Sequence, residues 1–188
     1  MPCEGTAAFA DCYVREDQRL IELGDVAALK SVLNIHRYDT GLGALIFDKF
    51  LLKHRPSKSV LGVVYCAYET NLARFTALFP EYWSQFGCGC SIERVDSEVI
   101  DGIGRLSRLE HEVAFLLALG YDADAITRSM RRFVPDTETS VREALRSIAG
   151  RMATAGIPVA NMRDRLVEAR VHQHMPTTFF DRVVGPRT

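Results

Sequence analysis

Apolar positions recur along most of this chain at three- and four-residue spacing, the period of a helix buried on one side. Arg15 to Leu23 makes a short helical run stopped by Gly24, a residue suited to a left-handed helix end. Asp25 is placed to cap a second run, Val26 to Leu33, which ends in the polar break Asn34-Ile35-His36-Arg37-Tyr38. Asp39 then caps a longer helix in which Leu42, Leu45, Ile46, Lys49, Phe50 and Leu52 fall at mainly helical spacing. Arg55-Pro56-Ser57 ends it, because the residue before a proline disfavours the helical region. Val60 to Cys66 is β-branched enough for a strand, but Ala67 to Phe79 continues with helical spacing up to Pro80, so a buried helix is expected. Ser91 caps a further stripe of Ile92, Val95, Val99, Ile100 and Ile103, a helix for the core or for self-association.

The densest punctuation lies in 105–152. Ser107-Arg108-Leu109-Glu110 is a capping-box pattern: the serine oxygen takes the third amide while the glutamate reaches back to the cap. Leu109, Val113, Leu116 and Leu117 would face inward, and Leu119-Gly120 closes the helix. Asp122 opens a short helix with Ala123, Ile126 and Met130 inward. Pro135-Asp136-Thr137 opens a third, with Val141, Ala144, Leu145, Ile148, Ala149 and Met152 inward. Three short helices in this order outline a helix-turn-helix unit. A last helix is expected from Asn161 towards His174, followed by a loose tail from Met175. The expected fold is therefore all-α: a helical region 1–104, a helix-turn-helix-like domain 105–160, and a terminal helix and tail 161–188.

Composition narrows the class without naming an activity. With 188 residues, 47% apolar and 25% charged, the chain has the balance of a globular protein and not of a disordered one. The longest apolar run, Val60 to Ala67, is far too short to span a bilayer, and the first residues lack the pattern of a signal peptide. A cytoplasmic protein is expected. Its five cysteines are an odd number and argue against a disulfide framework. Cys88 and Cys90 are one residue apart, too tight for the usual zinc pair even with His172 and His174 to complete a set, so no metal is expected. No phosphate loop, nucleophile elbow or metalloprotease motif occurs. Glu110-His111-Glu112 cannot converge on one atom from adjacent helix positions and reads as a solvated helix face. Neither an enzyme nor a cofactor is expected.

Leu106-Ser107-Arg108-Leu109-Glu110-His111-Glu112-Val113 followed by Leu117-Ala118-Leu119-Gly120 resembles the opening of the LuxR/GerE-type DNA-binding domain. Asp124-Ala125-Ile126 is similar to that family's scaffold-helix step. Thr139-Ser140-Val141-Arg142 with Leu145-Arg146-Ser147-Ile148 is similar to its recognition helix. The turn Arg131-Arg132-Phe133-Val134-Pro135-Asp136 is several residues longer than the family's. A weaker likeness joins Arg19 to Gly24, the helical pair after it, and Arg55-Pro56-Ser57-Lys58 to the N-terminal part of FlhC, a flagellar regulator that binds DNA with a partner subunit. The four-cysteine zinc site of FlhC has no counterpart here. Both resemblances imply transcriptional regulation.

Charge gives this reading a mild slope. Residues 1–50, 51–104, 105–162 and 163–188 carry net charges of −3, −1, +1 and +2. The resemblance places Arg142 and Arg146 of the third helix on DNA with Thr139 and Ser140, and Arg131 and Arg132 of the preceding turn on phosphates. Such a regulator is expected to work as a homodimer or with a partner subunit. Lys49, Lys53, His54, Arg55 and Lys58 make a second basic patch. The alternative is a helical adaptor that binds another protein and no DNA, gripping it with the aromatic group Phe79 to Phe86.

Overall fold

The stretch that reads as two helices around a polar break is a β-hairpin. In the computed structural model, which describes residues 9–24, 30–38, 41–89, 91–131 and 137–185, strand β1 (Lys30–Tyr38) pairs antiparallel with β2 (Gly41–Lys53). A third strand, β3 (Val60–Glu69), pairs with β2, and β4 (Ser91–Val95) pairs with β1. These four strands lie in the order β3-β2-β1-β4. The chain is therefore mixed α/β and not all-α.

Burial explains why the strand periodicity is hidden. Cross-strand partners share a face, so Leu33, Ile46 and Ile92 lie together on one side of the sheet and are fully buried. Val32, Lys49 and Leu51 belong to the opposite side and are also buried. A strand covered on both sides loses the apolar–polar alternation that marks a half-buried one. The helical stripe of 42–52 is an accident of spacing: two of its members, Leu42 and Leu52, stand about half exposed, at 47% and 48%. The helices expected in 26–33 and 39–52 are thus replaced by β1 and β2, with residues 25–29 and 39–40 outside the described ones. The helical pair behind the likeness to FlhC disappears with them.

Two further helices are corrected. The run 60–79 divides into β3 and a short helix α2 (Leu72–Leu78), because Asn71 caps at that point by accepting a hydrogen bond from the Ala73 amide at 2.9 Å. The self-association helix expected in 91–104 is β4 followed by a hairpin of β5 (Val99–Ile100) and β6 (Gly104–Arg105). Its glycines do this: Gly102 and Gly104 take positive φ values of 78° and 84°.

Two compact units result, one of residues 1–94 with 182–188 and the other of 95–181. In the first, helix α1 (Ala10–Leu23) ends at Gly24 in the left-handed conformation and buries Leu20. Between β3 and β4, α2 and α3 (Tyr82–Phe86) stack Phe75, Phe79, Tyr82 and Trp83 edge-to-face or tilted, with ring centroids 5.2 to 6.1 Å apart. Phe75, Phe79 and Tyr82 are almost wholly buried, so this aromatic group is core and not an exposed grip. Trp83 Nε1 is buried as well. Its fluorescence is expected to be blue-shifted and weakly quenched by acrylamide; a red emission with free quenching would contradict this packing.

In the second unit the helices begin and end where local chemistry sets them. Helix α4 (Arg108–Ala118) starts at a complete capping box, with both the Ser107 and Glu110 bonds made. It stops in a Schellman arrangement: the Gly120 amide bonds the Leu117 carbonyl and the Tyr121 amide that of Leu116. Asp122 caps α5 (Ala123–Met130) through the Ala125 amide, and α6 (Thr137–Thr154) ends at Gly156 with the same Schellman pair of bonds. The chain then departs from the single terminal helix expected. Helix α7 (Met162–Glu168) is cut off by Arg170 at φ 60°, and β7 (His174–Pro176) and α8 (Thr177–Val184) follow. The tail expected to be loose buries Met175, Phe179, Phe180 and Val183.

Candidate nucleic-acid interface

Helix α6 carries the residues that the sequence points to. Val141, Ala144, Ile148 and Met152 turn inward at three- and four-residue steps and are buried. Thr139, Arg142, Glu143 and Arg146 occupy the opposite, exposed face, with Ser140 half-buried at its margin. The helix therefore brings Thr139, Arg142 and Arg146 onto one solvent-facing surface. Arg142 is ion-paired to Glu138 at 2.6 Å, one turn back and in solvent. Such surface pairs contribute little to stability and leave the guanidinium available to a stronger anion. Arg131 is exposed at the end of α5, its amide bonded to the Thr127 carbonyl. Arg132 lies outside the described residues. Arg128, also exposed near the end of α5, escapes the sequence reading; its one signal there is a cation in a helix's last turn.

What holds α6 in place is an ionic clasp to α4. Glu110 sits 2.6 Å from the Arg151 guanidinium, which also donates to the Arg105 carbonyl at 2.8 Å. Burial alone would raise the Glu110 pKa; hydrogen bonds from the Ser147 side chain, the Ser107 amide and Arg151 outweigh it and hold the carboxyl at about 2. Arg151 is thus a structural cation, and the exposed cations of the three-helix unit lie elsewhere on it.

The cluster Glu110-His111-Glu112 is not a solvated face. His111 and Glu112 are buried, 1% and 7% exposed, because α4 is surrounded within its unit. His111 Nε2 donates to the His174 carbonyl at 2.9 Å, and burial holds its pKa below the ordinary value despite that carbonyl and the nearby Glu98. Glu112 accepts from the Thr178 hydroxyl at 2.6 Å. His174 Nδ1 lies 2.7 Å from Glu98. The groups face different partners, so they stabilise the unit without converging. Among the described residues no cluster of three or more His, Cys, Asp or Glu side chains is placed to hold a metal. Cys88 belongs to the first unit and His172 and His174 to the second, while Cys90 is outside the described residues. Among the described residues no helix is long and apolar enough to cross a membrane.

The second basic patch loses a member. Lys49 is buried and bonded to Glu16 and Asp17, and Lys53 donates to the Gly24 carbonyl.

No protein-family model matches the chain, and no curated protein matches it. Solved structures similar to it include VqmA, a LuxR-type receptor of Vibrio cholerae, determined as a dimer without its target DNA. That match has 21% identity over 94% of this chain and 69% of that one, with a TM-score of 0.35. A phage VqmA in complex with DPO is similar at 21% identity, 96% and 69% coverage and a TM-score of 0.34.

Proposed function

We propose that this chain is a DNA-binding transcription regulator that presents the exposed face of α6 to the duplex. Thr139, Arg142 and Arg146 contact the groove, Ser140 lies at the edge of that contact, and Arg131 and Arg132 hold phosphates from the preceding turn. The observation that carries this reading is the mounting of α6. It is 18 residues long, anchored along its buried side and clasped through Arg151 to the cap of α4, with Arg142 and Arg146 left on the exposed side. Helix-turn-helix proteins use the equivalent third element this way, and commonly bind paired half-sites as dimers or with a second subunit. The adaptor reading loses the residues that supported it, since the aromatic group of 79–86 packs within the first unit.

The test is fluorescence anisotropy with labelled duplexes from the region upstream of the protein's own gene, at two salt concentrations. Saturable binding that weakens steeply with salt is expected from phosphate neutralisation. The double substitution Arg142→Ala with Arg146→Ala is expected to weaken binding by about a hundredfold while leaving circular dichroism unchanged, at roughly 1–3 kcal/mol for each arginine. Unaltered binding by that variant would remove α6 as the reading element.

A further inference from the structure

Strand β3 is the outer strand of its sheet: β2 pairs with one side of it, and among the described residues no strand pairs with the other. A strand offers its amides and carbonyls alternately to its two sides. Half of those on this ten-residue strand therefore point outward, where another chain can pair with them. Such edges are ordinarily protected along their length by lysines, prolines or bulges. Here Gly62-Val63-Val64-Tyr65-Cys66-Ala67-Tyr68 has no charge and no proline, and the bulge between Leu52 and Lys53 lies at its start.

The side chains of the edge are apolar and open. Leu61 is 63% and Tyr65 59% exposed, and Cys66 and Ala67 are exposed as well. Tyr65 lies opposite Lys49 on the side covered by α1, where it lines a cavity of about 280 Å³ beneath that helix. On the other side, Val64 lies opposite Phe50 and Gly62 opposite Leu52, both exposed.

Charge selects the occupant. The turn before β3 carries the exposed Arg55 and Lys58, and the far end of the strand carries the exposed Glu69. A second copy laid antiparallel sets the basic end of each strand beside the acidic end of the other. A parallel copy would set Glu69 beside Glu69 and one basic turn beside the other, which is unfavourable. The antiparallel arrangement also closes on itself, using both edges in one two-fold contact.

We propose that β3 pairs antiparallel with β3 of a second copy of this chain, joining the two sheets across a two-fold axis at Val64. An axis perpendicular to the sheet keeps each face continuous, so the pairing centres on a single residue. Val64 is the midpoint of 59–69 and meets its own counterpart. Val63 then lies opposite Tyr65 on both flanks, a β-branched residue against an aromatic one, which is a favourable cross-strand pair. Beyond them Gly62 lies opposite Cys66, and Glu69 falls opposite Ser59, next to Lys58 of the second copy. The contact stands independently of DNA binding, because β3 belongs wholly to the first unit.

Sedimentation equilibrium of the full chain without DNA, over a range of micromolar concentrations, is expected to show a reversible dimer. Gly62 and Cys66 supply the test of register, since a side chain at Gly62 meets open space and Cys66 is exposed. Gly62→Lys with Cys66→Lys sets lysine opposite lysine twice and is expected to weaken the dimer about tenfold or more. Gly62→Glu with Cys66→Lys sets opposite charges at the same two places and is expected to restore it, with circular dichroism unchanged in both variants. In the parent, amide hydrogen exchange across 60–69 is expected to slow as concentration rises, a reading that needs no variant. A parent that stays monomeric, a lysine pair that leaves the dimer intact, a charge-matched pair that fails to restore it, or exchange independent of concentration would each overturn the proposal.

Discussion

Replacing Lys49 with methionine is expected to destabilise the first unit by about 3–5 kcal/mol, because it leaves the largely buried Glu16 carboxylate without its counter-charge. Lys49 and Glu16 are each less than a tenth exposed in the side chain and lie 3.1 Å apart, with Asp17 completing the set at 2.7 Å. Burial by itself would lower the lysine pKa, but the hydrogen bond to Asp17 and the charge of Glu16 reverse this and raise it overall. A raised pKa means the folded state binds the proton more tightly than the unfolded chain. The contribution is therefore complete below the unfolded value of about 10.4 and is lost as pH rises through the folded one. Urea unfolding followed by Trp83, which lies in the same unit, measures the loss. Lys49→Met combined with Glu16→Gln is expected to recover part of it, since the pair is then removed together. A Lys49→Met protein within about 1 kcal/mol of the parent would show that Glu16 is solvated after all.

The second large effect is at the other end of the chain. Glu110→Ala is expected to cost about 2–3 kcal/mol and to remove most of the acid sensitivity of the 95–181 unit. The same carboxylate closes the capping box of α4 and clasps Arg151 of α6. With the folded pKa at about 2 and an ordinary value of 4.5, the stabilisation is full above pH 4.5. It drains away as pH falls from there through about 2, because the unfolded chain takes up the proton first. Helical circular dichroism against urea, repeated at several pH values, reads this directly: the parent should show the slope and Glu110→Ala should not. An unchanged slope in the variant would assign acid sensitivity to other carboxylates. On the proposed DNA-binding reading, the variant's affinity for a duplex is expected to fall even though Arg142 and Arg146 are untouched, since α6 loses its clasp to α4.

How much is legible follows from which interactions are local. Ser107, Glu110, Gly120 and Asp122 act within one turn of their own helix, and each stands in the structure where spacing alone places it. The buried side of α6 is legible for the same reason, since a helix covered on one side writes its period into the chain. The first unit breaks this logic. Ile46 and Lys49 are both buried, yet on opposite faces of β2, and no single period describes such a strand. Lys49 reads as part of a basic patch because nothing near it in sequence announces Glu16 and Asp17, more than thirty residues away. The cavity is assembled from α1 and four strands, so none of its residues stands out alone.

The chain by itself determined the helix ends at Ser107, Gly120 and Asp122 and the arginine-bearing exposed face of α6, because caps, Schellman turns and amphipathic spacing are set by neighbours within a few positions. Only the tertiary structure decided that residues 30–69 and 91–105 hold strands, that the aromatic group is core, and that a cavity lies beneath α1. Those outcomes depend on which surfaces meet across long separations in sequence, and burial on both faces of a sheet erases the local pattern that would have announced them.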